Sequence, residues 1–226
     1  MSTQLHKTFK LIRAMLYYKN DHAQSGTTKH AHEHAVAVAF QQAGFTEEQK
    51  STYPKLTSKI LKPWAKGGSD ADLRDATKGM PNGSFIIQPA GSQGFPDILI
   101  KDFCGRYVAV ECKSAKGTCP VWNDNVPRET SIYIFCSESV NETTIFMGRD
   151  VITPAMYDAM EKVKDATEAF FKTQNHILAA ADGFGRGWGL RPRWQHCQGG
   201  GGKKTNYFTH PDRAKCEQNA LDYANE

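Results

Sequence analysis

The apolar positions of this chain change their spacing twice, from helical to strand-like and back to helical. Near the amino terminus, four apolar residues recur at helical spacing and predict a helix over about residues 7–18: Leu5, Phe9, Ile12 and Leu16. A second helix is predicted from about His30 to Ala43, where Gly44 is its natural stop. Residues 46–80 are polar and punctuated by proline and glycine, so we expect mainly helix and loop there.

Between residues 84 and 147 the apolar residues form short runs bounded by turn-forming residues, which is typical of strands. Five strands are predicted, over residues 84–88, 97–102, 107–113, 130–136 and 143–147. Thr153 as N-cap and Pro154 at the first helical position then predict a long helix to about Ala180. The apolar stripe of this helix is predicted to be buried: Met156, Met160, Val163, Phe170 and Ile177.

Helices, then a cluster of strands, then a helix predict an α/β domain with one sheet and helices packed on it. The length of 226 residues suits a single domain. Within it we distinguish a mainly helical part (1–80), a core that contains the strands (81–182) and a carboxy-terminal segment rich in glycine and arginine (183–226).

Composition narrows the class of protein without naming an activity. The apolar content of 39% and the charged content of 23% are ordinary for a soluble globular protein. No run approaches the ~20 apolar residues of a membrane span, and the first residues have no apolar stretch of secretory type. We therefore expect a cytoplasmic protein without a membrane partner. The six cysteines form no C-x-x-C pair and are interpreted as reduced thiols.

The net charge of +4 permits a polyanionic partner but does not require one. Its distribution is more informative than its sum. Residues 183–215 contain a single acid, Asp212, and seven basic residues: Arg186, Arg191, Arg193, Lys203, Lys204, Arg213 and Lys215.

Two carboxylates and a lysine lie at the ends of two neighbouring predicted strands. Asp97 begins one strand, and Glu111 and Lys113 stand two residues apart at the end of the next. Because side chains alternate between the faces of a strand, Glu111 and Lys113 project to the same face. Two converging carboxylates form a hard-oxygen site for Mg²⁺, and a nearby lysine can act on water. This pattern outlines a site that cleaves phosphodiesters.

Neither half of the pattern is rare in this chain. Glu-x-Lys recurs at Glu48 and Lys50, and Pro-Asp recurs at Pro211 and Asp212. Both repeats lie in polar segments with no strand pattern beside them. Only the set of Asp97, Glu111 and Lys113 combines both halves with strand-like runs, and the alternative interpretation is ordinary surface charge on two adjacent strands.

Pro96-Asp97 followed by Glu111-Cys112-Lys113 resembles the PD-(D/E)xK nuclease superfamily. Three further stretches resemble type II restriction endonucleases in particular: residues 91–97, 122–125 and 132–148. The likeness covers about residues 30–150. It implies a restriction-endonuclease-like core, in which a central mixed β-sheet is flanked by helices.

The resemblance also implies a chemistry. Asp97 and Glu111 would hold Mg²⁺, and Lys113 would orient or deprotonate the attacking water or stabilise the developing negative charge. Family members often carry a third acid on a helix before the sheet. Glu33 is the candidate here, and a solvated helix glutamate is the alternative interpretation.

The activity implied by the resemblance is sequence-specific, Mg²⁺-dependent cleavage of double-stranded DNA that leaves a 5′-phosphate and a 3′-hydroxyl. Such an enzyme would belong to a restriction system, in a prokaryotic cell, and would act as a homodimer or as a monomer. One alternative is a structure-specific or end-specific repair, recombination or phage nuclease on the same core. The other is a catalytically silent DNA-binding module.

Candidates for DNA contact lie mainly after the predicted catalytic strand. Lys116 is suited to grip a phosphate, and Asn123 and Asn125 are suited either to contact base edges or to form turns. The remaining candidates are basic residues of the carboxy-terminal segment: Arg186, Arg191, Arg193, Lys203 and Lys204. A merely cationic loop is the alternative for this segment.

Two other groups of metal-ligating residues have weaker patterns. On a helix His30 and His34 would share a face while His32 points elsewhere, so the three do not form a cluster. Four zinc-capable side chains occur at a spacing that matches no regular zinc finger, and whether they bind zinc stays open: His196, Cys197, His210 and Cys216.

Overall fold

The computed structural model describes residues 2–17, 31–92, 94–123, 126–190, 195–196 and 205–226, without the side chains of residues 31, 123, 195 and 196. Its helices are α1 Gln4–Arg13, α2 Ala31–Gln42, α3 Ser58–Trp64, α4 Asp70–Ala76, α5 Pro154–Ala181 and α6 Arg213–Tyr223. Its strands are β1 Thr46–Glu47, β2 Ser84–Ile87, β3 Ile98–Lys101, β4 Tyr107–Ala115, β5 Trp122–Asn123, β6 Ile132–Ser137, β7 Glu142–Met147 and β8 Gln195–His196.

One mixed sheet organises the molecule, with strand order β1-β2-β3-β4-β6-β7. The β1–β2 and β4–β6 pairs are parallel, and the other neighbours are antiparallel. Helices flank this sheet, which confirms the predicted α/β class. All five predicted strands are present, with ends that shift by no more than two residues.

The central strand β4 is covered on both faces, as its apolar run suggests. Val108 and Val110 belong to a core that also contains buried residues of α1, α2 and α6. On the opposite face, Tyr107 packs with α3 and α4, and Ala109 packs with Phe95. The last residues of β4 emerge from between these two cores, where Lys113 is partly exposed.

The helix α2 is held on the sheet by aromatic packing. The buried Phe40 ring lies 5.7 Å from Phe9 of α1 and 5.8 Å from Phe85 of β2, measured between centroids. The first turn of α2, which contains Glu33, is thereby placed beside the sheet. Helix α1 ends at Arg13, earlier than predicted, and leaves Leu16 exposed.

The final helix α6 is not evident from the apolar pattern, because much of its surface is polar. It packs on β7 and contributes Ala220 and Leu221 to the main core. Its buried Glu217 accepts hydrogen bonds from Arg213 Nε at 2.9 Å and from Thr144 Oγ1 at 2.8 Å. The end of the basic segment is therefore an integral part of the fold.

The prediction that α5 buries its apolar stripe is wrong, although the helix itself is confirmed, with the Thr153 side chain accepting from the Met156 amide at its start. None of its 28 residues is buried by the described part of the chain. The stripe lies on one side of the helix, as the spacing requires. Near its start, α5 contacts the body of the molecule, where Lys66 Nζ lies 2.7 Å from Glu161 Oε2 and over the Tyr157 ring.

Two strand pairings lie outside the predicted set. β1 pairs with β2 directly before Glu48, so the expectation of no strand beside the second Glu-x-Lys is wrong. β5 pairs with β8. The described cysteines are free thiols, as predicted. Within the described ranges, no helix is both long enough and apolar enough to cross a membrane.

Candidate active site

Asp97 and Glu111 lie at the same end of two hydrogen-bonded antiparallel strands. The register of β3 and β4 sets Ile98 opposite Val110, so Asp97 and Glu111 occupy the next pair of positions. Asp97 is fixed there because its Oδ2 accepts a hydrogen bond from the Cys112 backbone amide at 2.7 Å. The structure thus brings together the two carboxylates that the sequence pattern selected.

The loop that leads to Asp97 is tied at its base. The Gln88 amide donates to the Asp97 carbonyl at 2.6 Å, and the chain turns through Gly91, whose φ of 87° favours glycine. Gln88 has a positive φ of 47° itself, and its Nε2 donates to Glu33 Oε2 at 3.1 Å. Gln88 therefore connects the Asp97 loop to the helix α2.

Glu111 and Lys113 share a face of β4, as predicted from strand alternation. Their side chains form an ion pair, with Lys113 Nζ 2.8 Å from Glu111 Oε1. Glu111 is only 5% exposed, and its Oε2 is buried with no hydrogen-bond partner among the described residues. A buried carboxylate oxygen without a partner is costly, so this atom is suited to meet a cation or a donor from a ligand.

The charged groups at this end of the sheet shift one another's pKa values. Burial, together with Glu111 and Glu33, raises the pKa of Asp97 from 3.8 to about 8. Burial alone would lower the pKa of Lys113, but the ion pair with Glu111 and the charge of Asp97 outweigh it and raise this pKa. Lys113 is consequently an ammonium ion at neutral pH, which can donate hydrogen bonds but is not a base.

Glu33, the proposed third acid, approaches Asp97 from the other side of the sheet. It lies in the first turn of α2, on the face of β4 where Cys112 packs against the main core. Burial raises the pKa of the Cys112 thiol, and the charges of Asp97 and Glu33 add to this effect. Glu33 is thus an electrostatic neighbour of Asp97, while Glu111 and Lys113 occupy the opposite face.

In the part of the chain that the structure describes, no three His, Cys, Asp or Glu side chains gather closely enough to hold a metal ion. Mg²⁺ does not require such a cage, because it is usually bound by one or two carboxylates, water and substrate phosphates. Asp97 and Glu111 provide two carboxylates, and the unpartnered Oε2 of Glu111 is a free ligand atom. Their chemistry fits Mg²⁺ that is completed by a phosphate substrate.

The predicted DNA contacts are only partly described. Lys116 is exposed in the turn after β4. Arg186 is exposed beyond α5, with its guanidinium 5.6 Å from the Phe184 ring centroid. Asn123 belongs to β5, but its side chain is outside the description. The other candidates lie outside the described residues: Asn125, Arg191, Arg193, Lys203 and Lys204.

The histidine and cysteine groups do not form metal centres among the described residues. His32 turns Nε2 towards the Ile134 carbonyl at 3.3 Å, and burial lowers its pKa to about 4. His210 is exposed, and Cys216 packs against an aromatic cluster on the sheet. His30 and Cys197 lie outside the described residues, as does the side chain of His196.

Two residues near the site were missed by sequence reasoning. Gln88 is the last residue of a predicted strand, but nothing in the pattern indicated its bond to Glu33. Tyr133 lies opposite Glu111 in the β4–β6 pairing, and its hydroxyl accepts from the Arg128 amide at 2.8 Å. Burial and the charge of Glu111 raise the pKa of Tyr133, which keeps it neutral. The packing of α2 reveals the first of these neighbours, and the register of β4 and β6 reveals the second.

Comparisons with protein-family models, with curated proteins and with solved structures found no match. The features of this chain that bear on its function are therefore the geometry and charge of Asp97, Glu111 and Lys113.

Proposed function

We propose that this protein is an Mg²⁺-dependent, sequence-specific endonuclease of double-stranded DNA, similar to type II restriction enzymes. The observation that carries the proposal is the buried, unpartnered Oε2 of Glu111. The other oxygen of the same carboxylate pairs with the Lys113 ammonium, and Asp97 lies opposite Glu111 in the strand register. The resemblance to the PD-(D/E)xK superfamily assigns the same three residues to phosphodiester hydrolysis.

The contacts of Asp97, Glu111 and Lys113 indicate a different role for each in the proposed reaction. When bound, Mg²⁺ would supply a Lewis acid for a phosphoryl oxygen and make a water molecule more acidic. Asp97 is held in place by the Cys112 amide, and Glu111 presents its free oxygen next to it. The Lys113 ammonium can donate to the attacking water or to a phosphate oxygen, and so stabilise the negative charge of the transition state.

Positive charge elsewhere on the chain supports a DNA substrate. Lys116 and Arg186 are exposed, and the net charge is +4. Contacts of this kind neutralise phosphates and release counterions, so binding should weaken as salt rises. Sequence specificity would come from side chains that reach base edges, of which Arg186 is a described candidate.

Digestion of plasmid DNA of known sequence, followed by mapping of the ends, tests the proposal. We expect discrete fragments with 5′-phosphate ends when Mg²⁺ is present, and none when it is chelated. A smear, or cleavage restricted to flaps or ends, would favour a structure-specific or end-specific nuclease. Salt-sensitive binding without cleavage at every enzyme concentration would favour a silent DNA-binding module.

A further inference from the structure

Helix α5 exposes a regular apolar stripe along its length. Four large apolar residues on it are more than half exposed, at 51, 62, 57 and 59%: Met156, Val163, Phe170 and Ile177. They are spaced seven residues apart. Three residues after each one stands a small exposed residue: Ala159, Ala166, Thr173 and Ala180. This alternation of three and four is the heptad spacing with which helices pack against each other as coiled coils.

The charged residues of α5 avoid this stripe. Six of them lie on the other side of the helix: Asp158, Glu161, Lys164, Asp165, Glu168 and Lys172. Among the positions that flank the stripe, only Lys162 carries a full charge at neutral pH. A surface with a single lysine does not fit DNA, which is bound through many positive charges. It fits another apolar helix.

We propose that this stripe, which we call the α5 stripe, is the interface with a second copy of the chain. The proposal does not depend on the nuclease function. In a two-fold pair the same surface of each copy forms the interface. An apolar and nearly uncharged stripe can therefore pack against the same stripe of the second copy without charge repulsion. The body of the monomer leaves the stripe uncovered in the described part of the chain, although its periodicity is that of a buried face.

The sizes of the side chains select an antiparallel pair of helices. In a parallel pair Phe170 would face the partner's Phe170, and alanine would face alanine, which leaves alternating crowded and empty layers. In an antiparallel pair each large residue faces a small one. The register that overlaps all four repeats sets Phe170 against the partner's Ala166, and Val163 against the partner's Thr173.

The available area is sufficient for a specific interface of modest size. The 28 residues of α5 span about 42 Å at ~1.5 Å per residue. The four large side chains each expose roughly 100 Å², about half of what a large side chain can bury, or about 800 Å² over both copies. The small residues and the flanking side-chain stems raise the total above the ~1,000 Å² that a biological interface needs.

Measuring the mass of the full chain by light scattering across a dilution series tests the proposal. We expect the wild type to have twice its chain mass of 25.2 kDa. Phe170→Glu and Ile177→Glu should weaken dimerisation by at least about tenfold, because each places a charge in the apolar interface. The matched controls are Lys172→Glu and Ala179→Glu, which place a glutamate on another side of the same helix and should remain dimeric.

The proposal fails if the wild type stays at 25.2 kDa at the highest concentration, or if the control variants dissociate as readily as the stripe variants. Circular dichroism of every variant would show whether a loss of dimer reflects unfolding. Hydrogen exchange of the wild type provides a second readout without mutation. The amides of α5 should exchange faster on dilution, and a dimer whose α5 exchange is independent of concentration would overturn the assignment to this helix.

Cross-linking decides the orientation. Under oxidising conditions, chains with Val163→Cys should form a disulfide with chains carrying Thr173→Cys when the two variants are mixed. Neither variant should cross-link at the new cysteine when alone, because the antiparallel register separates identical positions. Efficient self-cross-linking of each variant, mapped by mass spectrometry to residue 163 or 173, would contradict the antiparallel pair.

Discussion

Two regions of the molecule place side chains in environments that they normally avoid. One is the site where β3 meets β4, and the other is the surface of α5. At the end of the β3–β4 pairing, Glu111 is buried and its ion-pair partner Lys113 is only partly exposed. On α5, large apolar side chains such as Phe170 and Ile177 are left in water. Buried charge is costly unless it is paired, and an extended apolar surface is costly unless it is covered.

The two regions therefore lack different kinds of binding partner. The unpartnered Glu111 oxygen is suited to bind a positively charged ligand, and the neighbouring Asp97 carboxyl group can bind the same ligand. The α5 stripe calls for another apolar surface. A monomer could avoid both costs with a few polar or apolar substitutions, so their presence supports a role in binding rather than in the stability of the isolated chain.

The largest expected effect comes from removing a carboxylate charge at the strand ends. Asp97→Asn and Glu111→Gln should each lower the rate of DNA cleavage by at least about a thousandfold, because each replaces a negatively charged ligand of the proposed Mg²⁺ site with a neutral amide. Cleavage rates measured in Mg²⁺ under single-turnover conditions check this. Asp75→Asn is the control, since Asp75 is an exposed carboxylate that pairs with Lys55. Unchanged cleavage by either site variant would remove that residue from the active site.

Loss of the Lys113 ammonium should have a smaller effect on cleavage. Lys113→Gln should reduce the rate by about a hundredfold, because one charged donor to the transition state is lost. Mg²⁺ binding, measured by calorimetry, should become tighter, since Glu111 is released from its ion pair. The matched control is Lys50→Gln, in the other Glu-x-Lys of the chain. Weaker Mg²⁺ binding by Lys113→Gln would contradict the assigned role.

The two regions should also differ in what an aromatic side chain contributes to stability. Phe40→Ala removes a fully buried ring and should lower the free energy of unfolding by about 3–5 kcal/mol. Phe170→Ala, made in the Ile177→Glu background so that the chain is monomeric, should change it by only about 0.5 kcal/mol. Denaturant unfolding measures both. A loss of similar size for both variants would show that the monomer itself buries the α5 stripe.

A separate expected effect concerns the pH dependence of stability. Because the folded pKa of Asp97 is about 8 and the unfolded value is near 3.8, the folded state holds an extra proton between these pH values. The stability of the metal-free protein should therefore fall as pH rises from about 4 to about 8. Asp97→Asn should remove this contribution, as seen in thermal melts at several pH values. An unchanged pH dependence in the variant would show that other groups cause it.

Local features of the fold and of the candidate site could be predicted from the sequence. Short apolar runs bounded by turn-forming residues identified all five predicted strands. The structure sets Asp97 directly before β3 and Glu111 and Lys113 on one face of β4, within two residues of the predicted strand ends. The start of α5 was also local, because Thr153 and Pro154 form a helix start with their immediate neighbours. Such signals depend on side chains that are close in the chain, so no tertiary contact is needed to find them.

The relative placement of these elements is evident only from the tertiary structure. The register of β3 and β4 placed Asp97 opposite Glu111, and the packing of α2 on the sheet brought Glu33 to Gln88. Tertiary packing also explains α6, because its few apolar residues are buried where it packs on β7. For α5, periodicity showed which residues share a face, but not what covers that face. Burial depends on which surfaces come together in space, and spacing along the chain does not contain that information.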